Sequence, residues 1–288
     1  MQRREFLKQA GAVGAAMATA HCPLPMAAAE PDADPMPMIT LGTLRVSRVF
    51  LGSNPFFGFC HGNPQATGDE MRDWYTPQRV MSVLDEAADL GINAVWTPCY
   101  DHWVRLWNDY RDKGGRLQNW IAQPDRRPME AEIRTAVKHG ATAVCIQGCN
   151  VDDEVRHGRW EVVRGWLELV KSHDLPAGIA THGATTHLEA EEKGLPTDFY
   201  HQTMYRPDDY VPAGREESLA MIARLAKPVV AYKILGAGRI KPADALPYAF
   251  QRMKRKDGIC VGVFPNKNPR EIAENVALTR QCTKQFAG

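Results

Sequence analysis

The seven cysteines of this chain include no C-x-x-C pair. That absence removes the usual zinc-knuckle and dithiol redox arrangements. Cys145 and Cys149, separated by three residues across an expected strand end, are poorly placed to share a metal. Cys60, Cys99, Cys260 and Cys282 are as isolated, so buried thiols are expected, and a chain of 288 residues does not need disulfides. Charge of one sign is also missing: 35 Lys and Arg against 34 Asp and Glu leave a net charge of +1. No electrostatic footprint for nucleic acid or an anionic membrane follows from that balance. Long apolar runs are scarce. Residues 9–20 are uncharged, but the run is too short and too rich in Ala and Gly to cross a hydrocarbon core of ~30 Å. No glycine-rich turn follows the first strand, which argues against an open doubly wound sheet.

What is present begins at the N-terminus. Arg3-Arg4-Glu5-Phe6-Leu7-Lys8 precedes the uncharged run, and Ala18-Thr19-Ala20 and Ala27-Ala28-Ala29 offer small-residue cleavage sites. A charged head, a short apolar middle and an A-x-A exit describe a removable signal. The stretch resembles a twin-arginine (Tat) signal, which implies the Tat export machinery as a partner and a periplasmic or otherwise exported product. Residues 1–29 are the expected signal, 30–38 a flexible leader rich in Pro, Asp and Ala, and 39–288 a single domain. With 44% hydrophobic and 24% charged residues, the full sequence has ordinary globular composition.

From Val46 onward, short apolar runs alternate with amphipathic stretches eight times. Strands are expected at Val46–Gly52, Ile92–Thr97, Leu117–Ala122, Thr142–Gln147, Ala177–Thr181, Asp198–Thr203, Val229–Ile234 and Gly258–Phe264. The spacing predicts helices between them, for example over 76–90, where Val80, Val83, Leu84 and Ala87 share one face. Nearly continuous apolar strands imply a parallel sheet covered on its faces. Eight strand–helix units in about 250 residues is the count of a closed (β/α)8 TIM barrel.

Such a barrel places its chemistry at the strand C-terminal ends. Those ends carry Asn54, Tyr100, His102, Gln147, His182, His201, Tyr205 and Lys233. Tyr100, His102, His182 and Lys233 are the catalytic candidates, expected to converge on one pocket, with His182 the better acid–base group because an unperturbed imidazole titrates near ~6.5. Asn54, Gln147, His201 and Tyr205 are the candidates for holding a small-molecule substrate. Three strand-end histidines could bind a transition metal. Their spacings match no motif, however, and no metal is assigned. His187, inside the helix after strand five, is expected to be structural.

Both ends of the domain resemble the aldo-keto reductases. Leu41-Gly42-Thr43-Leu44-Arg45-Val46-Ser47-Arg48-Val49-Phe50-Leu51-Gly52 is similar to that family's opening strand, and Gly91-Ile92-Asn93 to the entry of its second unit. Phe264-Pro265-Asn266-Lys267-Asn268-Pro269 and Ile272-Ala273-Glu274-Asn275 resemble its loop and helix that grip the adenosine phosphate and adenine of NADP. Gly236-Ala237-Gly238 falls where the family approaches the pyrophosphate. The resemblance implies an NADP(H)-dependent oxidoreductase acting on a carbonyl or sugar-like polar substrate. Gly236, Gly238, Asn266, Lys267, Asn268, Glu274 and Asn275 would hold the cofactor. The family's catalytic Asp and Lys are replaced by Trp96 and Gln123, its His by Gln147 or Gly148, and Tyr100 stands about one residue out of register. The residues therefore leave open a non-redox barrel enzyme (lyase, isomerase or hydrolase, with or without a metal) or an inactive binding module.

Overall fold

Two short strands, β1 (Met38–Leu41) and β2 (Leu44–Ser47), pair antiparallel across a two-residue turn whose Gly42 has φ +58°. That angle favours glycine, and a Cβ there would also lie 3.0 Å from the Asp198 carboxyl carbon. The hairpin closes the barrel floor: Ile39, Leu41 and Val46 pack in one buried cluster with Phe50, Ala94, Phe199 and Val230. The computed structural model describes residues 34–61, 67–183, 185–205, 210 and 212–286; the expected signal and residues 30–33 of the expected leader lie outside the described residues.

Eight parallel strands follow and close on themselves. In barrel order they are β3 (Val49–Gly52), β4 (Ala94–Pro98), β5 (Asn119–Gln123), β6 (Ala143–Ile146), β7 (Ala177–Thr181), β8 (Phe199–Thr203), β9 (Val229–Tyr232) and β10 (Gly258–Gly262). The last pairs with the first, Ile259 beside Val49 and Gly262 beside Gly52. The expected (β/α)8 barrel is the fold.

Ten α-helices are described: α1 (Gly68–Trp74), α2 (Pro77–Asp89), α3 (Asp101–Asp112), α4 (Met129–Lys138), α5 (Gly148–Arg156), α6 (Trp160–Lys171), α7 (Thr186–Glu192), α8 (Pro212–Arg224), α9 (Pro242–Phe250) and α10 (Glu271–Gln285). Helix α2 shows why they form. Thr76 caps it by accepting from Arg79 N at 3.3 Å, and Pro77 fills the first turn. Its Val80, Val83, Leu84 and Ala87 stripe is buried against the barrel. Each buried Val or Leu there stabilises the fold by about 1.5–3 kcal/mol.

Three local expectations are corrected. Val46–Gly52 is two strands, because the chain turns at Arg48. That side chain is 4% exposed and reaches outward, donating from Nε to Asp257 O at 2.9 Å and from Nη2 to Lys254 O at 3.1 Å. Strand β9 stops at Tyr232, since Lys233 has φ +59° and leaves the extended conformation. Residues 148–156, without an expected helix, form α5. Its N-cap Gln147 accepts from Asn150 N at 3.2 Å, and its buried Glu154 is clamped by Arg127 (2.5 Å) and by Arg159.

Candidate active site

Period-two alternation sends Trp96, Gln123, Gln147, His201 and Tyr232 toward the barrel axis, and their C-terminal ends surround a cavity of about 330 Å³. Tyr100, His182, Lys233, Asn54, Gln147 and His201 all line it. Two expectations are overturned. His102 is exposed and does not line the cavity; its ring packs outside on Tyr100 (centroids 5.6 Å) and Phe57 (5.2 Å). Two residues into α3, it is rotated away from the side that Tyr100 presents. Tyr205 is buried beside Tyr210, also away from the cavity.

His182 belongs to a pair that its sequence position does not reveal. Its Nδ1 lies 2.8 Å from Asp152 Oδ2, and its backbone N donates to the same oxygen at 3.1 Å. Thr181 Oγ1 donates to the other carboxylate oxygen. Burial opposes ionisation of Asp152. The hydrogen bonds from His182 and Thr181 outweigh it and hold the carboxyl below its usual range. Asp152 is thus anionic and fixes the proton on Nδ1, leaving Nε2 as the ring nitrogen for chemistry. Gly148 is a requirement of this packing, because a Cβ there would sit 3.0 Å from His182 Cε1.

Across the cavity Tyr100 Oη donates to Asp125 Oδ2 at 2.9 Å. Burial and this acceptor push the phenol above its ordinary range, and burial raises Asp125 despite the bond from Tyr100. The phenol keeps its proton at neutral pH. His201 is 4% exposed and sandwiched by Trp96 (centroids 4.0 Å) and Tyr232 (4.3 Å). Burial drives its basicity far down, and neither ring nitrogen has a protein partner. It is a neutral polar group in an apolar stack. His187, fully buried against Tyr200, is pushed down to about 3 by burial and is structural as expected.

A second, larger cleft of about 500 Å³ adjoins the cavity, sharing Asn54, His61, Lys233 and Gly262 with it. One wall is the turn after β9, where Gly236, Ala237 and Gly238 all have positive φ. The other is the loop before α10 and that helix's first turns. Gly238, Lys267, Asn268, Glu274 and Asn275 line the cleft; Gly236 forms part of its turn, and Asn266 does not line it. Asn275 is 2% exposed with both amide atoms unpartnered. Glu271 accepts from Phe264 N at 2.6 Å, and burial, helped by Glu274, pushes its carboxyl up to about 7.

That shift has a stability consequence. The folded chain holds the Glu271 proton more tightly than the unfolded chain, so this group's contribution is lost as pH rises from ~4.5 through ~7, by at most about 3 kcal/mol. Glu271→Gln keeps an acceptor for Phe264 N. It is expected to be more stable than wild type at pH ~8 by about 1–3 kcal/mol, with the gap closing toward pH ~5. Urea melts at both pH values check this, and an equal gap at both would exclude it.

Of the six described cysteines all are free; Cys149 is exposed at the cavity edge and Cys60 half-buried, against the expectation of buried thiols. The start of α5 carries Cys149 to the barrel mouth instead of into its wall. Among the described residues no set of three His, Cys, Asp or Glu side chains is arranged to hold a metal ion, and no helix is long and apolar enough to cross a membrane.

No protein-family model matches the chain, and no curated protein matches it. Solved structures do. A protein of Pseudomonas aeruginosa assigned as an aldo-keto reductase aligns with a TM-score of 0.62 at 18% identity, over 87% of this chain and 98% of that one. Mandelate oxidase bound to (S)-2-phenylpropionate aligns with a TM-score of 0.52 at 14% identity, over 89% and 78%. At these identities the likeness is one of fold.

Proposed function

We propose that this chain is an oxidoreductase of the aldo-keto-reductase-like type, in which the His182–Asp152 pair handles the proton and the adjoining cleft takes a nicotinamide dinucleotide. The observation that carries the reading is the contiguity of the two spaces: a cleft with a glycine turn and cationic side chains opens along Asn54 and Lys233 into a cavity holding an oriented imidazole. The orphaned Asn275 amide suits a nucleobase, the Gly236–Gly238 turn offers close backbone approach, and Lys233, Arg239 and Lys241 favour a diphosphate. When bound, the dinucleotide supplies the hydride chemistry.

The chain's own residues do the rest. His182 Nε2 accepts or returns the proton at the substrate oxygen, and Asp152 stabilises the imidazolium that forms. Lys233 carries positive charge to the junction, where it favours a developing oxyanion. Asn54, Gln123 and Gln147 offer neutral donors and acceptors to a polar, carbonyl-bearing or sugar-like substrate. Tyr100 remains protonated and donates to Asp125, so it is a binding group here.

A second reading, a non-redox lyase or isomerase, is favoured by the replacement of cationic residues at the ends of β5 and β6 by Gln123 and Gln147. Calorimetric titration with nicotinamide dinucleotides separates the two. Binding at micromolar to low-millimolar concentration supports the redox reading; its absence leaves His182–Asp152 as a proton-transfer site alone.

The proposal includes Tat-dependent export to the periplasm. Replacing Arg3 and Arg4 by Lys is expected to leave unprocessed precursor inside the cell, because the pair is read by a receptor and not as bulk charge. Normal processing of the double variant, followed by immunoblot of cell fractions, would rule that route out.

A further inference from the structure

The cleft beside the cavity is electrically lopsided. Its turn wall presents Lys233, Arg239 and Lys241, whereas the α10 wall presents the Glu274 carboxylate beside the half-buried Glu271. Lys267 lines the cleft on this second side, but its amine lies 3.4 Å from the Glu70 carboxylate. Asn268, next in the loop, donates its amide to Glu274 Oε2 at 2.8 Å. Buried behind them, Asn275 lines the cleft with both amide atoms unpartnered, a polar side chain that only a ligand or water can satisfy.

A dinucleotide meeting this surface lays its diphosphate where the cations and the glycine turn are. What then reaches the α10 wall is the nucleoside end. Carboxylates accept hydrogen bonds from ribose hydroxyls but repel a phosphate, which carries about two negative charges near neutral pH. Glu70 partly neutralises the Lys267 charge that such a phosphate would meet.

Resting on the dinucleotide reading above, we propose that the cleft selects NAD(H), with free hydroxyls on the adenosine ribose, over NADP(H), and that Glu70 and Glu274 set the preference. The loop and helix resemblance implied the phosphorylated form. The carboxylates around Lys267 point the other way.

Isothermal titration of the purified chain with NAD⁺, NADP⁺ and the nicotinamide-free pair adenosine 5′-monophosphate and adenosine 2′,5′-bisphosphate tests this. The member of each pair that lacks the 2′-phosphate is expected to bind at least about tenfold tighter. Glu70→Gln combined with Glu274→Gln should tighten the 2′-phosphorylated ligands and bring each ratio within about threefold, since two negative charges that repel the phosphate are then gone. Circular-dichroism melts confirm folding, and the single variant at the half-exposed Glu70 stands in if the double variant does not fold. Equal or tighter NADP⁺ binding by wild type overturns the selectivity and leaves the dinucleotide reading intact. Failure of all four ligands to bind overturns both. A wild-type preference for NAD⁺ unmoved by the substitutions removes Glu70 and Glu274 as its cause.

Discussion

His182→Ala is expected to lower turnover by roughly 10²–10⁴-fold, the usual range for removal of a positioned acid–base group. The imidazole is held by two contacts to Asp152, through Nδ1 at 2.8 Å and through its backbone N at 3.1 Å. Asp152→Asn should therefore be damaging as well. An amide can accept from Nδ1–H but cannot stabilise the imidazolium, and it can reverse the ring's tautomer. Both variants should leave ligand binding within a few-fold of wild type, because Asn54, Gln123, Gln147 and Lys233 remain in place. The measurement is nicotinamide absorbance during turnover of a panel of small aldehydes and ketoses, alongside calorimetric binding. If His182→Ala keeps more than about a third of wild-type turnover, the pair is not the acid–base group.

Trp120→Ala is expected to be the most destabilising single truncation in the barrel wall, costing about 3–5 kcal/mol. The indole has no exposed surface and sits between barrel and α3, with ring centroids 6.3 Å from Trp103 and 6.1 Å from Trp107. Trp107 continues the stack to Tyr110 at 5.8 Å. Side chains of this size interlock, so neighbours cannot collapse into the space left by one of them. Denaturant midpoints and near-ultraviolet dichroism report the result: a shifted midpoint together with a weakened aromatic signal. A loss below about 1 kcal/mol would mean that the cluster repacks freely.

The barrel was legible in the sequence because each unit announces itself locally. Helix α2 carries its cap, its Pro77 and its apolar stripe within thirteen residues, and Gly91 ends it before β4. Strand ends were legible for the same reason, and so the cavity-lining set of Tyr100, His182, Lys233, Asn54, Gln147 and His201 followed from counting strands. Helix α5 was not. Gly148 and Asn150 are poor helix residues, and what holds the segment is the Gln147 cap and a buried Glu154 gripped by arginines before and after α5. With α5 unseen, Asp152 could be placed at a strand end but not against an imidazole thirty residues away.

His102 and Tyr100 make the complementary point. Two residues apart, both follow β4, yet the helical turn of α3 exposes one ring and leaves the other on the cavity wall. The amino-acid sequence by itself determined the fold class and which strand ends face the mouth, since periodicity and caps act over a few residues. Tertiary structure alone decided which side chains are partners: His182 with Asp152, Tyr100 with Asp125, Lys267 with Glu70. Hydrogen bonds and ion pairs act over about 3–4 Å, and only closure of the barrel brings residues from distant segments within that reach.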